Sequence, residues 1–132
     1  MNTASGQWSS ITGGTENVAT GQWSSVSGGQ FNTASNESSS VSGGRGCEAS
    51  GTHSSVSGGS SNDAIGDRSS VSGGERNDAE GIIATVTGGQ DNTASGNFSS
   101  VSGGRNNDAT HAVSTVSGGD DNDSMGIDSH TP

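Results

Sequence analysis

The sequence predicts an all-β protein, a parallel β-solenoid or β-roll, and three observations predict it. The motif Ser-Ser-Val-Ser-Gly-Gly, or a close variant, begins at position 9 and returns every 15 residues to position 114, eight copies in all. The full unit, S-S-V-S-G-G-x-x-N-x-A-x-G-x-x, runs the length of the 132 residues with nothing between copies. Within each unit two short alternating stretches are separated by glycines, which is one coil carrying two short strands. Residues 1–132 therefore read as a single β-solenoid domain of eight 15-residue coils, each resting on its neighbours.

Alternation assigns the side chains of the first strand. With Val26 inward, Ser24 and Gly28 also face in, and Ser25 and Ser27 face out. The Gly28-Gly29 pair then permits a sharp turn, because glycine accepts positive φ and close backbone approach. On the second strand Asn32 and Ala34 face in, and Thr33 and Ser35 face out. A further glycine, Gly21 in this unit, makes the other turn. Asn36 and His111 replace it in two coils, and asparagine is the better suited of the two to a left-handed backbone.

Stacking at about 4.8 Å per coil puts like on like. The interior becomes a column of Ile11, Val26, Val41, Val56, Val71, Val86, Val101 and Val116 against a column of alanines from Ala4 to Ala109, closed by Ser124. Such small residues require two closely spaced strands and a flattened roll. The inward asparagines, Asn17 through Asn122, are expected to form an amide ladder. Cys47 interrupts that column and reads as a buried bystander.

Composition bounds the task. Apolar residues are 23%, which alone would suggest disorder, but glycine, asparagine, valine and alanine fall in register. Four basic residues against fourteen acidic ones give a net charge of −10, so nucleic acid and anionic membrane are poor partners. No apolar run approaches the roughly 18 residues of a membrane span, and no membrane insertion is expected. The opening Met1-Asn2-Thr3-Ala4-Ser5-Gly6 has neither a charged region nor an apolar stretch, so no secretory signal is read there. It enters in mid-repeat, as a mature region or an excised piece with an added Met would.

The outward residues separate the functional readings. On the second strand they vary from Thr3 and Val18 through Glu48, Asp63 and Asp78 to Asp108 and Asp123, with Ser5, Thr20, Ile65, Glu80 and Met125 in the neighbouring file. That is a solvated, acidic face. On the first strand they do not vary. One file is Ser10, Ser25, Ser40, Ser55, Ser70, Thr85, Ser100 and Thr115; the other is Thr12, Ser27, Ser42, Ser57, Ser72, Thr87, Ser102 and Ser117. All sixteen are hydroxyl residues and none is charged, although the interior makes no demand on them. Hydroxyls about 6.6–6.8 Å apart along a strand and about 4.8 Å between coils describe a flat lattice roughly 34 Å long. Something regular is expected to meet it.

Two families share these features. The run Gly96-Asn97-Phe98-Ser99-Ser100-Val101-Ser102-Gly103-Gly104-Arg105-Asn106-Asn107-Asp108-Ala109 resembles the head repeats of trimeric bacterial autotransporter adhesins. That resemblance implies a left-handed parallel β-roll, a homotrimer, and binding to host or matrix surfaces. The neck, stalk and anchor of such adhesins have no counterpart in these residues, nor does a long outer apolar file to drive trimer packing. Ser25-Val26-Ser27-Gly28 and Asn32-Thr33-Ala34-Ser35 are similar to the rhythm of β-solenoid ice-binding proteins from grasses. That resemblance implies triplets such as Ser10-Ile11-Thr12 and Thr85-Val86-Thr87 ordering water into an ice-like layer, here with serine outnumbering threonine. The leading expectation is a non-enzymatic antifreeze protein, secreted or at a cell surface, whose partner is the ice–water surface. An adhesin or fibre head module is the alternative.

Other constellations carry less. His53, His111 and His130 occupy three different repeat positions and do not align as ligands. Asp128-Ser129-His130 lists a triad's residues, but triads arise by spatial convergence. Gly-Gly-x-x-Asn is not the calcium-binding nonapeptide, and Asp63, Asp78, Asp108, Asp120, Asp121 and Asp123 read as a solvated face. Trp8, Trp23, Phe98, Ile83 and Val113 share one file with Ser38, His53, Arg68 and Asp128, expected to be a corner partly covering a turn. Asn36, Asn97 and Asn122 stand in N-x-S acceptor motifs, frequent by chance in so Asn- and Ser-rich a chain. No cofactor, metal or catalytic group is expected.

Overall fold

The computed structural model describes residues 1–124 and the strand at His130–Thr131. The backbone alternates between two short strands per coil, beginning with β1 (Thr3–Ala4), β2 (Ser10–Ile11), β3 (Val18–Ala19) and β4 (Ser25–Val26) and ending with β17 (Asp123–Ser124) and β18 (His130–Thr131). Odd-numbered strands form one nine-stranded parallel sheet, the alanine sheet, and even-numbered strands form another, the valine sheet. Every pairing advances by 15 residues: Ser25 lies against Ser40, Val26 against Val41, Thr33 against Glu48. The protein is an all-β parallel β-solenoid of about eight coils.

The core is as thin as the small residues dictate. Val26, Val41, Val71, Val86, Val101 and Val116 are fully buried, facing Ala19, Ala34, Ala49, Ala64, Ala79, Ala94 and Ala109. Ile11, in the first coil, is only partly buried. A third ladder runs along Thr15, Gln30, Arg45, Ser60, Glu75, Gln90, Arg105 and Asp120, one bridge per coil. Alternation did not foretell it, because a single paired residue leaves no period to read.

Three expectations about the turns need correction. Gly28 does not face the core: a Cβ there would meet nothing within 4 Å. The inward alternation ends at Val26, and the second glycine makes the turn. Gly29 holds φ at 84°, and its Cβ would lie 2.2 Å from the Gly44 carbonyl oxygen. Gly21 is required for a different reason. Its φ is not positive, but a Cβ would stand 1.9 Å from the Asn36 carbonyl oxygen. Asn36 and His111 are therefore not left-handed residues. Asn36 redirects its N–H to Ser39 Oγ at 3.1 Å, where Gly51 donates to the Ala64 carbonyl of the following coil.

The left-handed corners lie elsewhere. Trp8, Trp23, Ser38, His53, Arg68, Ile83, Phe98 and Val113 hold φ between 53° and 61°. So do Phe31, Ser61, Arg76 and Asn106 at a second corner. Side chains on the first of these corners do not cover a turn. Trp8 is 64% exposed and Phe98 57%, and Trp8 stacks on Trp23 with ring centroids 5.2 Å apart.

The asparagine column does more than stack amides. Asn32 Nδ2 donates to the Gly28 carbonyl of its own turn and to the Gly44 carbonyl of the next, at 2.9 and 3.0 Å. Its Oδ1 accepts the N–H of residue 47 at 2.9 Å. From Asn77 to Asn122 each Nδ2 also reaches the preceding Oδ1 at 3.1–3.2 Å, the expected ladder. Except at Cys47, one inward amide per coil thus ties each turn to the next.

Candidate functional site

Strand alternation sets the geometry of the valine sheet's outer surface. With Val26, Val41, Val56 and Val71 turned in, Ser25, Ser40, Ser55 and Ser70 turn out and are partly buried between their neighbours. Ser27, Ser42, Ser57, Ser72, Thr87 and Ser102, one residue past each strand, are exposed. The first hydroxyl file stands in unbroken register from Ser10↔Ser25 to Ser100↔Thr115. Between rungs the hydroxyls come close enough to touch: Ser100 Oγ donates to Thr115 Oγ1 at 3.3 Å.

Two borders frame the face. On one side lies the file of first glycines, bare backbone with open space above Gly28, Gly43, Gly58 and Gly73. This border escaped the sequence reading, since identical letters in Gly-Gly conceal opposite environments. On the other side stands the left-handed corner with Trp8, Trp23, Ile83, Phe98 and Val113. An open hollow of about 240 Å³ sits on that corner among Thr52, His53, Asp67, Arg68 and Ile82.

A third file of serines runs beneath. Ser24, Ser39, Ser54, Ser69, Ser99 and Ser114 are buried, and Ala84 takes the same place in one coil. Ser39 and Ser54 donate to carbonyls three residues earlier at 2.7 Å, whereas the hydroxyls of Ser24, Ser69, Ser99 and Ser114 lack a partner.

The alanine sheet's outer surface carries the acid. Burial and the neighbouring carboxylates of Asp78 and Glu48 push the Asp63 carboxyl up to about 6. Asp78 is raised by burial and by Glu80, and Asp108 by burial and by Asp123. The arginines pair elsewhere: Arg105 with Asp120 at 2.7 Å, and Arg76 with Asp91 at 2.6 Å and with Glu75. Among the described residues, no three His, Cys, Asp or Glu side chains gather to hold a metal ion, and no helix is long and apolar enough to cross a membrane. Asn122, in one acceptor motif, is tied into the amide ladder, while Asn36 and Asn97 are exposed. Asp128 and Ser129 lie outside the described residues, and so does the side chain of His130.

Fold and surface together define a class, a β-solenoid with one invariant hydroxyl face and one acidic face. No protein-family model matches the chain, and comparison with curated proteins finds no relative.

Proposed function

We propose that the hydroxyl face of the valine sheet binds ice, and that the protein restrains ice growth without catalysing a reaction. One observation carries the reading. Sixteen outward positions in eight coils are uncharged hydroxyl residues, while the alanine sheet's outward positions have diverged to Val18, Glu48, Asp63, Ile65 and Glu80. Both sets of strands share one interior and one register, so packing does not account for the difference. A two-dimensional lattice of hydroxyls at rung spacing complements a partner that repeats in two dimensions, as a crystal surface does.

Area argues the same way. A face roughly 34 Å long and roughly 10 Å wide offers about 340 Å². A stable protein–protein contact takes about 800 Å² from each partner, so this face alone is too small to hold a trimer. The second reading, a homotrimeric adhesin or fibre head, is favoured by the exposed corner of Trp8, Trp23 and Phe98 beside the face, which could widen a chain–chain contact. Either reading places the protein outside the cell or on its surface, and the resemblances attach a left-handed coil to both.

The test replaces Ser40, Ser55 and Ser70 with Tyr. Loss of thermal hysteresis and ice shaping with an unchanged far-UV spectrum supports ice binding. Wild-type protein that leaves ice growth unaltered ends that reading. A trimer by light scattering that the same substitutions dissociate establishes the second.

A further inference from the structure

One step of the coil stack lacks ties that the others have. The amide at each asparagine position links its turn to the next twice, through Nδ2 to a glycine carbonyl and through Oδ1 from the next N–H. Asn62, Asn77, Asn92 and Asn107 each receive or pass this link. Cys47 cannot make it. Its Sγ reaches the Gly58 and Gly59 carbonyls only at 3.7 Å, and it offers no oxygen to the Asn62 N–H.

The acid file meets at the same step. Glu48 lies in register against Asp63, which lies against Asp78. Glu80, one file over, adds to the negative charge around Asp78. None of the four arginines faces Asp63: Arg45 pairs in the third ladder, Arg76 and Arg105 hold other acids, and Arg68 stands with His53 and Asp67 at the far corner. The backbone ladder still crosses the step, with Glu48 N–H on the Asn62 carbonyl at 3.0 Å. Elsewhere only one of the two weaknesses occurs. Asp108 opposes Asp123, but there the Asn107–Asn122 link is intact.

We infer that the junction between residues 45–59 and residues 60–74 is a pH-controlled joint, opening first at neutral pH and closing as the carboxylates of Asp63 and Asp78, stacked beside Glu48, take up protons. A solenoid's stability is a sum of neighbour contacts, so the step that loses one hydrogen bond, keeps only a long thiol contact in place of another and is burdened with like charge is where it parts. Protonation removes the repulsion and lets a carboxyl donate to its neighbour. The raised Asp63 carboxyl sets the window, with the joint tight well below pH 6 and loosened above it. The joint also divides the hydroxyl face evenly. Four rungs, through Ser55 and Ser57, lie below it, and four, from Ser70 and Ser72, lie above. Acid therefore holds the eight rungs in one plane, whatever that plane binds.

Cys47, 1% exposed, is a built-in probe, because its thiol is labelled only when the joint opens. The experiment measures alkylation of Cys47 in the full chain, relative to the urea-unfolded chain at the same pH, which cancels the thiolate fraction. At pH 7.5 Asp63→Asn is expected to slow labelling about tenfold, while Asp108→Asn, the same charge change three coils away, leaves it unaltered. In the wild type the folded-to-unfolded ratio of rates is expected to fall about fourfold between pH 7.5 and 5.5, an arm that needs no variant to fold. Equal slowing by both substitutions, no slowing by Asp63→Asn, a pH-independent ratio, or a wild-type thiol that never labels would each overturn the joint.

Discussion

Two glycines seven residues apart show how much a single residue decides. Gly21 has the Asn36 carbonyl oxygen 1.9 Å from where a Cβ would stand, and that oxygen belongs to backbone that cannot step aside. Gly21→Ala is expected to cost more than about 3 kcal/mol and to prevent folding or shift the urea midpoint far downward. Gly28 has open space at the same place, so Gly28→Ala is expected to stay within about 0.5 kcal/mol of wild type in the same melt. Both are glycine in the sequence, and no pattern of letters separates a glycine needed for coil spacing from one bordering an outer face. Cys47 makes the complementary case. Cys47→Asn restores a donor to the Gly59 carbonyl and an acceptor for the Asn62 N–H. At about 1 kcal/mol per hydrogen bond, the gain is expected to be about 1–2 kcal/mol, seen as a higher urea midpoint at constant slope.

At the scale of the strand, one periodicity made the solenoid legible and left its corners dark. Period-two alternation around Val26 and Ala34 assigned the core and the asparagine column, which are buried where alternation puts them, although it carried the inward run one position too far, to Gly28. It says nothing about Trp23 or Ile83, whose left-handed φ depends on how the chain rounds a corner, and a β-branched residue is among the last that local preference would put there. Stacking like on like also fixes the electrostatics of each file. On the alanine sheet it aligns Glu48, Asp63 and Asp78, and the sign of the consequence follows from the direction of the shift. Asp63 takes up its proton at about 6 when folded, against 3.8 ordinarily. The stability this gives is therefore complete below about pH 4 and is lost as the pH rises through 6. Asp91 and Asp120, held below the usual range by Arg76 and Arg105, act oppositely, but only at pH values below the ordinary carboxylate range. Between pH 5 and 7.5 Asp63 therefore acts in the same direction as Asp78 and Asp108, which are raised as well, and after allowance for solvent screening its own share amounts to about 1 kcal/mol. Thermal melting is expected at a higher temperature at pH 5 than at pH 7.5, and Asp63→Asn is expected to flatten that difference. A midpoint that falls on going from pH 7.5 to pH 5 would contradict the assignment.

The whole molecule is a one-dimensional stack carrying a two-dimensional surface, and the two respond differently to loss of a coil. Deleting residues 75–89 joins Gly74 to Gln90 and leaves every 15-residue register intact, with Asn92 now following Asn77's place above Asn62. Nearest-neighbour stability falls by one coil's share, so the shortened chain is expected to keep its β spectrum and to melt somewhat earlier. Binding behaves otherwise. If the hydroxyl face holds a lattice, its rungs act in one binding event, their free energies add, and the affinity is a product over coils. Losing one rung of eight is then expected to reduce ice-growth restraint by a factor far larger than the one-eighth lost in length. Removing a coil and replacing Ser40, Ser55 and Ser70 with Tyr should act in the same direction for the same reason. A shortened, folded solenoid whose effect on ice falls only in proportion to its length would mean that the rungs work singly, and that their register over eight coils is not what the surface is for.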